Sequence, residues 1–534
     1  MTDFHDKHAQ WLIGEVEKGR MSRREFIGRT SALGMALTVS TGLFNQAHAA
    51  TPKKGGHMRL AMGHGATSDT LDPAKIENGL QWVATFGVAN TLTELDANGN
   101  LVPSLATEWE ASPDAKIWTF KLRKGVEFHN GKTMTAEDVI ASINFHRGED
   151  SKSVGKPIMA SVKSIKADGP NTVVIELTGG NADFPSAFNA ATFTIYPAKD
   201  NTIDWAAGGS GGYKLKREDP GVRYDFERFA NYWKEGRAHA DTIEVLTIAD
   251  STARNNALIT GSVDAIDQVD LKTIPLMKRK PGITVEEGAG PLHYTFPMLT
   301  TVAPFDNPDV RKALKFAVDR KELVEKVLVG HGVIGNDHPI GPTYPYFAPA
   351  DEIGQTPFDL DKAKFHMKKS GVGDITIDLS AADAAFAGAL DAAQLMQASA
   401  AKAGIKINVV REANDGYWSK VWLKKPWCAC YWGGYPTADA MFTTGYATGA
   451  SWNDTKWENA RFQELLIAAR AELDTAKRKD MYREMQVLMR DDGGTIVPMF
   501  GNAVSAKNDK IAHGDISWFK AFDGRRILER WWMV

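Results

Sequence analysis

The stretch WTFKLRKGVEFHNGKTMTAEDVIASINFHR, from Trp118 to Arg147, constrains the fold more than any other part of the chain. Trp118, Phe120 and Leu122 alternate with Thr119 and Lys121, the pattern of a half-buried strand. HNGK then supplies a turn signal. Thr135 stands where a helix N-cap is needed, and Glu137 and Asp138 fall in the first turn, where carboxylates meet the positive end of the helix. A strand, a tight turn and a capped helix follow one another within a short span, so strand and helix must pack together.

The same texture continues on both sides. GGHMRLAMG reads as a first strand, and NTVVIEL, DTIEVLTI and VDAIDQV as later ones. Near residue 305 the text becomes more helical. NPDVRKALKFAVDRKELVEKVL shows helical spacing of Val310, Leu314, Phe316, Ala317, Leu323 and Val324. DITIDLS and IKINVV are strands around the helix AGALDAAQLMQASAAKAG, which Gly404 ends. FQELLIAARAEL and AKRKDMYREMQVLMRDD are amphipathic helices, and TIVPMF is a late strand. At 534 residues the chain is too long for one core, so two α/β lobes are expected. The formal net charge of −3 lacks the basic stripe of a nucleic-acid binder.

The first fifty residues read as an address. Arg23 and Arg24 precede Phe26 and Ile27, then a moderately apolar run, TSALGMALTVSTGLF, leads to Ala47-His48-Ala49, a small-x-small cleavage site. The run is too short and too polar for a comfortable membrane span. It resembles a twin-arginine export signal. The bland alternative is an amphipathic helix that happens to carry two arginines. Export would make cysteines read as disulfides, but Cys428 and Cys430, two residues apart, are expected instead to be small buried hydrophobes.

Five segments, in order, resemble the extracellular solute-binding proteins of the dipeptide, oligopeptide and nickel-binding family, the capture subunits of ABC importers. They are the Trp118–Arg147 stretch, GSGGYKL at 209–215, FANYWKEG at 229–236, PFDNPDVRKALKFAVDRKELV at 304–324 and YREMQVLMRDDGGTIVPMF at 482–500. The resemblance implies a bilobed α/β periplasmic-binding-protein fold of the large type II class. Residues 1–49 would be the signal, 50–295 lobe one with a subdomain inserted at about 86–205, 296–499 lobe two, and 500–534 a return to lobe one. Hinge crossings would fall near 290–300 and 496–504. A solute would be held in the cleft and handed to an inner-membrane permease, with no bond broken, no cofactor, no nucleic acid, and a monomeric chain in the periplasm.

Single motifs in the chain also admit other readings. GGSGG at 208–212 matches a nucleophile elbow around Ser210, but an elbow needs a helix after the serine, and YKLKRE alternates like a strand. His64 and His338 belong to a scattered set with no compact metal-ligand spacing, and read as cleft or turn residues. The segment WGGY, 432–435, falls where the family's strand reads an acid that holds a ligand ammonium, and Gly434 stands at the acid's place. Leu299 stands where the family has asparagine, with Thr300 beside it. An ammonium buried without a carboxylate would cost several kcal/mol, so a free peptide N-terminus is a less secure ligand here than backbone and aromatic contacts. Of Tyr417, Trp418, Trp422, Trp427, Tyr431, Trp432 and Tyr435, one or two are expected to touch solute, with Trp432 or Tyr435 first, while Trp418, Trp422 and Trp427 could equally pack the lobe. Asp383 is either a helix cap or a replacement anchor for a cationic group. The expected solute-binding set is Trp432, Gly433, Gly434, Tyr435, Leu299, Thr300, His338, Asp383, Trp418 and His64, with no catalytic and no metal residues. A peptide is the default solute, and an opine, amine or glycoside the variant. A nickel or haem carrier and a hydrolase are the other classes kept in view.

Overall fold

The computed structural model describes residues 52–200 and 202–534. The expected export signal lies outside the described residues.

The first strand, His57–Met62, sits inside a nine-stranded sheet. It pairs in parallel with Thr242–Thr247 on one side and Ala265–Asp267 on the other. Its burial follows from the sequence: Met58, Leu60, Ala61 and Met62 are fully buried, as a strand covered on both faces demands. Beyond Thr242–Thr247 the sheet continues through Arg223–Arg228 to Tyr213–Asp219, both antiparallel.

Two strands are much longer than the rest. Ile283–Pro297 has 15 residues and Thr495–Asn508 has 14, and at about 3.3 Å per residue each reaches about 45–50 Å. They pair antiparallel from Ile283 opposite Asn508 to Pro297 opposite Thr495. Their outer ends lie among the strands of the first lobe and their inner ends in the second, so the ladder crosses from lobe to lobe. It is interrupted between Ala289 and His293, where Pro291 has no N–H to give. At Gly288 a Cβ would lie 2.4 Å from the Trp518 ring, so only glycine lets the tail pack on the crossing.

One apolar core joins the first strand to the tail through Leu60, Val245, Ile511, Phe522, Leu528 and Trp531. A second core belongs to residues 92–195 and a four-stranded antiparallel sheet, Ala106–Ala111, Ile117–Leu122, Thr172–Leu177 and Val162–Ala167. The alternation expected at 118–122 holds: Trp118, Phe120 and Leu122 face this core. The helix Ala136–Asn144 follows, with the buried Asp138 carboxylate taking the Thr135 N–H at 2.8 Å. Two more cores lie between residues 296 and 499, one on each face of the inner sheet.

The helical run read at 308–326 divides in two, Pro308–Ala317 and Arg320–Lys326. Val318 is extended, and Asp319 takes the Glu322 N–H at 3.0 Å, so a cap in mid-run starts a second helix. Ser210 lies in a buried turn with Oγ donating to Asn90, and the strand Tyr213–Asp219 follows it. No helix supports an elbow, and the motif is a turn.

The lobes also touch away from the crossing. Asp183, in the region of the second core, forms an ion pair at 2.8 Å with Arg478 of the long helix Thr475–Asp492. Arg478 is buried, lies over the Tyr346 and Tyr482 rings, and donates to the Ala469 carbonyl. Beside it the Ala182 N–H donates to the Arg470 carbonyl at 2.6 Å. A buried arginine left without its carboxylate costs about 3–5 kcal/mol, and parting of the lobes would let water relieve it. Asp183→Asn is therefore expected to enlarge the radius of gyration measured by small-angle X-ray scattering. An unchanged scattering curve would show that the pair does not hold the lobes together.

Candidate functional site

In each lobe the parallel strands end in loops, and Gly433 of lobe two meets Lys520 of lobe one at the seam between the lobes. In lobe one, Met62 and Asp267 close their strands and are followed by Gly63-His64 and Gln268. In lobe two, Thr376–Ala381 runs parallel to Lys406–Arg411, and Ser380 bridges in parallel to Cys428. Their carboxyl ends carry Asp383, Glu412 to Asn414, and, past Cys430–Trp432, the pair Gly433-Gly434. The crevice outside the carboxyl ends of such strands is where open α/β sheets take ligands.

Five of the expected residues lie in the segments that follow these strands. Asp383 is exposed in the turn after its strand and lines a depression of about 230 Å³ with Arg411, Glu412 and Asn414. It caps nothing, because the next helix, Ala389–Ala401, starts after Gly388. Trp418 is 41% exposed and meets the 43% exposed Tyr431 edge to face at 5.6 Å. His64 is exposed, and its ring lies 2.9 Å from Gln268 Nε2. Gly433 is exposed, and its carbonyl accepts from Lys520 of the tail at 2.8 Å. Gly434 has φ +82°, and a Cβ there would sit 2.3 Å from Pro291 Cβ. The residue is glycine because the loop turns left-handed against the crossing strand. No side chain fits at 434, an acid included.

Three are placed elsewhere. Leu299 and Thr300 follow the inner end of the crossing strand, six and seven residues past His293, and give their N–H groups to Pro426 and Thr455. At about 3.3 Å per residue that is about 20 Å from the Gly433 end. His338 is 1% exposed, inside the lobe-two core, with neither ring nitrogen partnered.

The aromatics divide between wall and core. Tyr417 and Trp427 are each 1% exposed and support the sheet. Trp432 is also buried, packed on Trp422 and Trp452, while Tyr435 is half-buried with its N–H on the Tyr344 hydroxyl at 2.9 Å. The exposed rings are Trp418, Tyr431 and Trp452, the last at 48%. Trp422 links them and donates to buried Asp454 at 3.1 Å, whose carboxyl burial pushes up to about 7. Beside it Cys428 and Cys430 are buried free thiols, and burial pushes both upward. In extended chain their side chains face the same way, but Cα atoms about 6.5 Å apart strain a bridge. No group of three or more His, Cys, Asp or Glu among the described residues is placed to hold a metal ion.

Sequence reading missed Lys520, Gln268 and Trp452. Lys520 reaches the seam only because the chain returns to lobe one, and nothing in SWFKAFDG marks that. Trp452 sits in a turn outside any periodic element, where its neighbours give no sign of its exposure.

Two outcomes follow from this geometry. Gly434→Ala is expected to lose about 1–3 kcal/mol of stability in denaturant unfolding. Gly433→Ala, whose Cβ would meet nothing within 4 Å, should fold as the wild type does, and equal losses would refute the assigned roles. His293 and His338 are buried and neutral, with pKa values lowered by burial from 6.5 to about 4 and about 3. The unfolded chain binds those protons near 6.5, so their contribution is intact above that pH and is lost as pH falls from about 6.5 toward 4. His338→Phe should flatten this acid limb in unfolding midpoints measured between pH 7 and 4, and an unaltered slope would exclude it.

Residues 100–454 match the model of bacterial extracellular solute-binding proteins, family 5 Middle. The chain is 27% identical over 459 residues to heme-binding protein A of Haemophilus influenzae, covering 79% of this chain and 83% of that protein. It is 26% identical over 443 residues to the dipeptide-binding protein of Escherichia coli K12, covering 74% and 80%. It superposes on the periplasmic binding protein DppA from Helicobacter pylori, solved in complex with the peptide STSA, with TM-score 0.70 and 23% identity, covering 90% of this chain and 98% of that one. A bilobed α/β fold agrees with these likenesses: the chain belongs to the family 5 bacterial extracellular solute-binding proteins, which are solute-binding proteins and not enzymes.

Proposed function

We propose that this chain is the substrate-binding subunit of an ABC importer in the periplasm. It is exported by a twin-arginine signal within residues 1–49, cut near Ala49. It acts as a monomer, takes a peptide or peptide-like small organic solute between its lobes, and presents it to an inner-membrane permease. Lobe one spans 50–295, with its subdomain at 86–205, and takes back 500–534; lobe two spans 296–499. Closure would turn about the interrupted ladder at Gly290–Leu292, where hydrogen bonding is weakest.

One observation supports the reading: Gly433 of lobe two meets Lys520 of lobe one where the crossing strands are interrupted, with the exposed rings of Trp418 and Tyr431 on lobe two. Gly433 offers backbone groups to a polar solute. Trp418 and Tyr431 offer an apolar wall, worth ~0.5–2 kcal/mol per contact to a ring or a cation. Asp383 stands nearby with no side-chain partner among the described residues, free to meet an ammonium.

Gly434 favours a second solute class. Position 434 excludes an acid by geometry, so the anchoring of a free amino terminus falls to Asp383 or is absent. A non-peptide solute such as an opine, amine or glycoside fits the latter case.

A thermal-shift panel of peptides, opines, amines and glycosides tests both, supported by mass spectrometry of whatever co-purifies. A solute at 100 times its Kd should stabilise the protein by about 2.7 kcal/mol, without being consumed. Turnover of any bound solute, or no shift with any class, would refute the proposal.

A further inference from the structure

Lys520 lies in the tail, next to a turn fixed from both sides. Phe522 is buried in the first core, and Asp523 takes the Ser517 N–H and an Arg530 hydrogen bond at 2.9 and 2.8 Å. The Trp518 ring packs on the crossing strand at Gly288. The lysine is therefore presented by a rigid element of lobe one, and its ammonium reaches across to the Gly433 carbonyl of lobe two.

That contact uses one of three ammonium donors. Among the described residues no carboxylate forms an ion pair with Lys520. The charge that bears on it is Arg525, which is itself committed to Asp267 at 3.1 Å and acts on the lysine as a like charge. Burial first, and Arg525 second, hold its pKa down to about 8. Lys520 is half-buried, so its ammonium, without a counter-charge, is partly desolvated, and a carboxylate in hydrogen-bond reach offsets that cost. There is room for one: a Cβ on Gly433, next to the carbonyl that Lys520 holds, would meet no atom within 4 Å.

We infer that Lys520 is the anchor for a carboxylate carried by the solute, so that the cleft selects organic acids over their neutral counterparts. This rests on the solute-capture reading above and narrows it. The acid could be a peptide C-terminus or the carboxylate of an opine. Either would enter between the two lobes and receive the donors that Gly433 leaves free. Asp383, on the opposite lobe, stands to meet the cationic end of the same molecule.

The test pairs acids with neutral analogues: alanylalanine against its C-terminal amide, octopine against its amide, and a neutral glycoside. Affinities are measured by calorimetry on the wild type, Lys520→Met and Lys520→Arg. Wild type is expected to bind at least one acid about ten-fold or more tightly than its amide. Lys520→Met should abolish that difference with little change for the amide, and Lys520→Arg should keep most of it. Circular dichroism and the melting temperature of each variant confirm the fold. Equal binding of acid and amide, binding of neutral members alone, or a preference that survives in Lys520→Met overturns the anchor and leaves solute capture standing. Absence of binding by every member overturns the anchor and the capture reading together.

Discussion

The ladder between Ile283–Pro297 and Thr495–Asn508 is the constraint on which the molecule depends. Backbone hydrogen bonds hold it, and they are shared by both lobes, so neither lobe has a complete sheet without it. Its outer half completes the sheet beside Ala265–Asp267. Its inner half receives Gly332–Ile334 on one edge and Cys430–Trp432 on the other. The interruption at Gly290–Leu292 is the weak link in an otherwise continuous structure. Gly434 packs against that link and Trp518 just before it, so the seam and the crossing form one assembly.

The seam's electrostatics follow from what each lobe buries. Asp267 is fully buried and occupied by Arg525 and the Gly63 N–H, so it offers nothing to a solute. Asp454 is shielded beneath Trp422. Among the described residues Asp383 and Lys520 have no ion-pair partner, nor has Arg411 beside Asp383, and aromatic surface lies on the Asp383 side.

Much of this was legible in the sequence wherever the signal is local. Alternation placed Trp118, Phe120 and Leu122 correctly, and Thr135 with Asp138 began a helix as capping chemistry requires. Local signals also misled. The apolar spacing from Val310 to Val324 reads as one helix, but Asp319 divides it. Gly434 reads as a missing acid, whereas the determinant is Pro291, which lies 143 positions earlier in the chain. His338 carries a polar label but its loop folds inward. Lys520 shows the general reason: a site assembled by a chain that crosses twice draws on residues whose neighbours in sequence say nothing about their neighbours in space.

The first core has a consequence for the order of assembly. Its strand His57–Met62 is sealed by Phe522, Leu528 and Trp531, and Arg530 and Glu94 meet as a buried ion pair at 2.7 Å. These partners are separated by more than four hundred positions. During synthesis the early strands must wait, with apolar faces uncovered, until the last turns of the chain emerge. Lobe two, whose two cores are built from buried residues between 296 and 499, needs no such delay. The lobe whose strands are made first is thus the last to finish folding, and a holding partner for its exposed strands would matter most in that interval.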